Sequence, residues 1–259
     1  MKTRTFGIIC TATFANLVTT AALGQARPSD PAFGYLANAP ESGDGKWKGS
    51  LGFGTTISHG NSESTQASLA VDATRTLRDS RIVIHSLLVR GTSGDHTTVD
   101  NDIADARYER NFAKASFGFG DVTLERDPFR DLDLRQSYAG GAGYRLLRSE
   151  NMQLNAYGGL AYTFENKRVE EDARGWEPMV GNDFTYKFSE TASLSQRWVL
   201  FPNTVGGGGI RSVFQVDLNT KVSGHFGVQI SLLNKYRQHV LVGEKKSDTI
   251  LFTGVTAAF

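Results

Sequence analysis

From Trp47 to Phe259 the chain alternates apolar and polar residues with a period of two, broken at short intervals by turn-forming residues. A period of two puts successive side chains on opposite faces of an extended strand, so each run reads as a strand with one apolar face. In the first run Trp47, Gly49, Leu51, Phe53, Thr55 and Ile57 alternate with Lys48, Ser50, Gly52, Gly54, Thr56 and Ser58. Further along, Leu134, Tyr138, Gly140, Ala142 and Tyr144 oppose Arg135, Ser137, Gly141, Gly143 and Arg145. Phe226, Val228, Ile230 and Leu232 likewise oppose Gln229 and Ser231. The pattern predicts strands at 47–58, 65–75, 81–91, 101–110, 113–125, 134–145, 152–165, 176–188, 192–201, 210–222, 226–237 and 247–259. Each has the length of a tilted membrane-spanning strand, about 9–11 residues or a little more. The fold class expected is all-β: a transmembrane antiparallel up-and-down barrel of about twelve strands.

The connections point the same way. Those after even strands are short, as at Asn111-Phe112, Ser189-Glu190-Thr191 and Ser223-Gly224-His225. Those after odd strands are longer: Thr92–Asp100, Arg126–Asp133, Asn166–Gly175, Pro202–Gly209 and Gln238–Lys246. Short periplasmic turns and longer outer loops are the asymmetry of outer-membrane barrels. The first loop, Gly60-Asn61-Ser62-Glu63-Ser64, is short for an outer one. Segment 81–91 is apolar on both faces and leaves its register open. Phe117 and Phe119 share a face with Asp121, which predicts a β-bulge near Gly120. Asn182, Gln196 and Asn234 fall on lipid-facing registers, and Trp47, Tyr108, Tyr144, Tyr162, Tyr186, Trp198 and Tyr236 are candidates for the interfacial girdles.

The N-terminal part changes the compartment. Lys2 and Arg4 precede a largely apolar stretch to Leu23, and Gly24-Gln25-Ala26 resembles a small-x-small cleavage site, so residues 1–26 read as a secretory signal peptide. Residues 27–45 carry three prolines and three glycines and read as a flexible periplasmic lead-in to a barrel at 46–259. Cys10, the one cysteine, lies in the leader, so the mature protein would hold no thiol, disulfide or cysteine metal site. Losing Lys2 and Arg4 leaves 26 basic residues against 27 acidic, and no basic excess points to nucleic acid. Phe259 ends the last alternating strand and is expected to be the C-terminal insertion signal read by the barrel-assembly machinery.

Several passages carry a resemblance to a known family. They are Trp47-Lys48-Gly49-Ser50-Leu51-Gly52-Phe53-Gly54 with His59-Gly60-Asn61-Ser62-Glu63-Ser64; Glu125-Arg126-Asp127-Pro128-Phe129-Arg130-Asp131-Leu132 with Gly140-Gly141-Ala142-Gly143-Tyr144-Arg145; Ser189 to Gln196; and Lys245-Lys246-Ser247-Asp248-Thr249. In that order they resemble the domain of unknown function 481 family, also described as salt-induced outer-membrane proteins. The resemblance implies an outer-membrane barrel with a salt- or stress-associated envelope role and no agreed activity. Pro128 and the run Gly206 to Gly209 depart from the family pattern.

Candidate chemistry lies in the lumen. Asp72, Asp105, Arg107, Glu109, Arg135, Arg145, Glu165, Asp183, Arg197, Asp217, Lys221, Lys235 and Arg237 fall on inward registers. Their near balance of sign favours pairing across a closed lumen, because an unpaired charge there is costly; the alternative is a narrow passive channel for small solutes. A second alternative, an outer-membrane lipid hydrolase, would need His59 or His96 as acid/base groups. The five histidines, at 59, 85, 96, 225 and 239, are scattered and read as solvated loop residues. Glu170-Glu171-Asp172 and Asp127, Asp131 and Asp133 read as solvated acidic loops and not as calcium ligands. No catalytic, cofactor-binding or metal-binding residue is assigned. The partners expected are outer-membrane lipids and lipopolysaccharide, for a monomer in the Gram-negative outer membrane.

Overall fold

The computed structural model describes residues 43, 45–58, 64–202, 204–205, 208–239 and 246–259. The expected leader, almost all of the lead-in, His59 and the first loop lie outside them. Twelve antiparallel strands close into one barrel in simple sequential order. They are β1 (Trp47–Ser58), β2 (Ser64–Thr76), β3 (Ser80–Ser93), β4 (His96–Asn111), β5 (Ser116–Asp127), β6 (Leu132–Arg148), β7 (Met152–Asn166), β8 (Ala173–Lys187), β9 (Ala192–Phe201), β10 (Arg211–Lys221), β11 (Phe226–Arg237) and β12 (Ser247–Ala258). Closure is made by β1 against β12, from Ser50↔Ala258 to Gly54↔Gly254, and Gly49 and Phe259 exchange both backbone bonds at 3.1 and 3.0 Å. A closed ring has no edge, so every strand meets its neighbours through backbone pairing, as hydrocarbon requires.

The outer face is apolar along the middle of the strands. Leu51, Phe53, Val122, Leu160, Val180, Ile230, Leu251 and Val255 are exposed there, and all seven aromatics expected in the girdles stand on outward registers. Tyr138, Phe164, Tyr162 and Trp176 form an edge-to-face chain on one flank, with successive centroids 6.4, 5.0 and 5.0 Å apart. At the turn end an exposed apolar residue follows β2, β4, β8, β10 and β12 directly: Leu77, Phe112, Phe188, Val222 and Phe259. This ring marks one membrane boundary. On the β3–β5 flank the other is marked by outward charges, where Arg90 chelates Asp102 at 2.6 and 2.8 Å and Arg126 holds Asp100 at 2.8 Å. The exterior is that of a transmembrane barrel.

Two expectations change, and one open register is settled. No bulge interrupts β5 at Gly120: pairing runs unbroken from Phe117 to Glu125 against β6, and Phe117, Phe119 and Asp121 all point inward. The rings fit because β6 places Gly143 and Gly141 directly opposite; a Cβ on Gly143 would lie 2.3 Å from the Phe117 ring. Segment 81–91 resolves with Val83, His85, Leu87 and Val89 inward and Ile82, Ile84 and Leu88 outward. The expected loop Thr92–Asp100 is mostly strand, and half of Arg126–Asp133 is. β3 and β4 continue into a tight hairpin at Gly94-Asp95, with Gly94 at φ 58°, while β5 and β6 are joined by one 3-10 turn at Pro128–Arg130. Pro178 is tolerated inside β8 because pairing with β9 begins only at Val180, so its missing N–H faces no partner strand.

The lumen is packed. Phe117, Phe119, Tyr157, Ala161, Met179, Val199 and Phe201 line one wall, and Ala70, Leu87, Val89, Leu233 and Phe252 line the other. Aromatics are seated over glycines here as well: Tyr157 covers Gly181, and Phe252 covers Gly54 and Gly254.

Candidate functional site: the charged lumen

Between the two apolar walls the inward charges fall into two layers. The layer nearer the loops draws on strand ends. Arg135 of β6 is gripped by Glu125 of β5 at 2.5 Å and Glu165 of β7 at 2.8 Å. Lys235 of β11 reaches Glu125 at 2.8 Å and Asn101 at 3.0 Å, and Asn101 donates to Asp127 at 2.7 Å. Arg237 meets Glu165 at 3.4 Å. Arg211 pairs with Glu177 at 2.8 Å and lies 3.7 Å above the centre of the Phe201 ring. Glu177 also accepts from Thr163 at 2.6 Å and from the backbone N–H of Val205 at 3.2 Å, which ties Val205 to this layer. Four carboxylates here face four cations: Glu125, Asp127, Glu165 and Glu177 against Arg135, Arg211, Lys235 and Arg237.

The deeper layer is organised by two arginines. Arg107 is clasped between the rings of Phe119 and Tyr157, 4.4 and 4.3 Å from their centres, and pairs with Glu109 at 2.9 Å. Glu109 also holds Arg81 at 2.7 Å. Arg197 of β9 extends between Asp105 of β4, Asp121 of β5 and Asp183 of β8, at 3.4, 3.4 and 3.8 Å. Tyr157 donates to Asp183 at 3.2 Å. His85 bonds Asp72 at 2.7 Å and lies in the field of Asp105 and Asp217. Asp217 accepts from Gln215 at 3.0 Å. Six carboxylates, namely Asp72, Asp105, Glu109, Asp121, Asp183 and Asp217, face three guanidiniums, Arg81, Arg107 and Arg197, with His85 beside them. A cavity of about 90 Å³ separates the layers, walled by Ile103, Ala161, Met179, Val199, Val213 and Leu233.

Of the inward charges named from the sequence, Asp72, Asp105, Arg107, Glu109, Arg135, Glu165, Asp183, Asp217 and Lys235 are buried. Arg197 is largely covered, while Arg145, Lys221 and Arg237 are half-buried nearer the barrel ends. Arg145 bonds Asn111 at the turn end. Opposite charges are paired in the layer nearer the loops; the deeper one carries an acidic excess that overall sign balance conceals.

Sequence reasoning passed over Asp121, Glu125, Glu177, Arg211 and His85. Asp121 was hidden by the expected bulge. Glu177 and Arg211 lie inside the strands expected at 176–188 and 210–222, on the inward parity of Asp183 and Asp217 that would have found them. His85 is no solvated loop residue: it is buried on β3 against Asp72. His96 stands exposed beside the hairpin tip, His225 in a turn at the other end, and His239 against the Gly208 carbonyl at 3.0 Å. The acidic loop residues are not simply solvated either. Asp131 is buried at φ 55° and accepts the backbone N–H groups of Arg168, Val169 and Glu170 at 2.9, 2.6 and 3.0 Å. Asp127 is held by Asn101, and Asp172 accepts from the Lys167 N–H at 2.9 Å.

The model of the family described as "Protein of unknown function, DUF481" matches residues 51–259. The chain belongs to this family. A search of curated proteins found no match. Among solved structures, the NanC porin is similar at 9% identity and a TM-score of 0.49, covering 82% of this chain and 98% of its own. An outer-membrane channel from Pseudomonas putida F1 is similar at 16% identity and 0.46, covering 82% and 94%. The translocator domain of the autotransporter NalP from Neisseria meningitidis follows at 13% identity and 0.42, covering 82% and 86%.

Proposed function

We propose that the protein is a closed-lumen barrel of the Gram-negative outer membrane with a non-enzymatic envelope role. The observation that carries this reading is the bridging of the lumen: Lys235 on β11 meets Glu125 on β5, six strands away in a ring of twelve and therefore opposite. Arg197 on β9 likewise reaches Asp105 on β4, five strands away. With aromatic rings filling the remaining section, no solvated path is needed to hydrate the bridging charges, because each of those four meets a counter-charge. Residues 1–26 act as an export signal in this reading, 27–45 as a periplasmic lead-in, and the partners of the monomer are outer-membrane lipids, lipopolysaccharide and the assembly machinery. A salt- or stress-associated role accords with the family resemblance. The test is a heat-modifiable gel shift of refolded protein beside its conductance in planar bilayers. The expected result is a folded, electrically silent barrel; stepwise current from the unaltered protein overturns the reading.

A further inference from the structure

We propose that the lumen is an airlock for small cations, with two ionic locks in series on either side of the central cavity. The proposal rests on the closed-lumen reading and adds what the locks would admit.

The geometry of each lock carries the argument. In the deeper one, carboxylates from β4, β5 and β8 stand round the Arg197 guanidinium at 3.4, 3.4 and 3.8 Å. In the outer one, Lys235 and Arg237, both on β11, reach across to Glu125 and Glu165 at 2.8 and 3.4 Å. Each lock is a carboxylate cage occupied by a cation tethered to the opposite wall. The tethered group stands where a permeating cation would stand, and its removal leaves carboxylates in excess: in the outer layer Arg135 and Arg211 alone then face four carboxylates, and an acidic lumen selects cations. The other groups of the deeper layer are held locally: Arg107 is clasped by Phe119 and Tyr157 on the wall, Arg81 is held by Glu109, Asp72 by His85 and Asp217 by Gln215. The cavity between the locks borders both Arg197 and Glu125. Opening one lock therefore gives access to the cavity from one side, and conduction needs both.

Ala161 faces this cavity and is buried. The mature chain has no cysteine once Cys10 leaves with the leader, so Ala161→Cys introduces a lone thiol. Silver ion is the probe of cation entry and a negatively charged methanethiosulfonate the probe of anion entry. Protection from maleimide labelling after unfolding is the readout. Ala161→Cys alone should remain unmodified. Adding Arg197→Gln, or Lys235→Gln with Arg237→Gln, should expose the thiol to silver and not to the anionic reagent. Current should appear only when all three substitutions are combined, with the reversal potential shifted towards the cation's. The gel shift confirms folding of each variant, and Arg197→Lys, which keeps a tethered cation, should again exclude silver and leave the thiol open to maleimide after unfolding. Current from Arg197→Gln alone, equal reaction with the anionic reagent, or no silver reaction in folded single-lock variants overturns the airlock. Silver reaction of Ala161→Cys with both locks intact overturns instead the closed-lumen reading beneath it.

Discussion

Asn182 and Gln196 are polar side chains on a face that meets lipid, and each removes the other's cost. Asn182 donates to Gln196 at 3.0 Å across the β8–β9 pair. Asn234 does the same with Ser247 and Thr249, at 2.8 Å to each. A donor without an acceptor in hydrocarbon costs far more than a bonded pair contributes, so the pair matters through what its loss would expose. Gln196→Leu should lower stability by about 1–3 kcal/mol, whereas Asn182→Leu with Gln196→Leu should return it to the original value or above. Urea unfolding in lipid vesicles, followed by tryptophan fluorescence, checks this; equal loss in the single and double variants would show that the bond is immaterial. Arg107 illustrates the same economy inside the lumen, where two ring faces replace the hydrogen-bond partners that its terminal nitrogens lack.

At the scale of the strand, alternation carried most of the information. β1, β9 and β11 have the bounds that period two predicts, because one face meets lipid and the other is polar. Legibility failed where the lumen is apolar. β3 presents Val83, Leu87 and Val89 inward and Ile82, Ile84 and Leu88 outward, so no contrast remained to set its register. In β5 the two phenylalanines looked like lipid-facing residues, and Asp121 beside them looked like an error of phase. Their signal lay on the neighbouring strand, in Gly141 and Gly143, which leave room for the rings. The glycines are thus of two kinds. At Gly120, facing lipid, a Cβ would meet nothing within 4 Å, so Gly120→Val should leave the barrel folded with unchanged or slightly raised stability. At Gly143 the same substitution strikes the Phe117 ring and should abolish the heat-modifiable band. If Gly143→Val folds normally and Gly120→Val does not, the inward assignment of Phe117 is wrong. The candidate site was legible in part for the same reason: parity found charges on strands whose two faces differ, and His85 and Asp121 were missed on β3 and β5, where apolar residues share their inward face.

Across the whole molecule, two markers fix how the barrel sits. The apolar ring of Leu77, Phe112, Phe188, Val222 and Phe259 lies at one boundary, and the Arg90, Asp100, Asp102 and Arg126 cluster marks the other on its own flank. Between Asp102 and Phe112 the chain advances ten residues along one strand and its turn, about 25 Å along the axis for a tilt near 40°, the height of a barrel's apolar band.

The β3–β4 hairpin continues beyond that cluster. From Asp102 to His96 it climbs six further residues, about 15 Å along the axis, whereas the headgroup region of one leaflet is only about 5–8 Å deep. Gly94 and Asp95 therefore stand in open water, at the tip of a mast that β2 flanks as far as Thr92. To anything approaching from outside, whether phage, antibody or protease, this tip is an early point of contact. Limited proteolysis of the folded protein in vesicles should cut near Gly94-Asp95 and spare the strands below; cuts confined to β7–β8 would show that the mast lies flat.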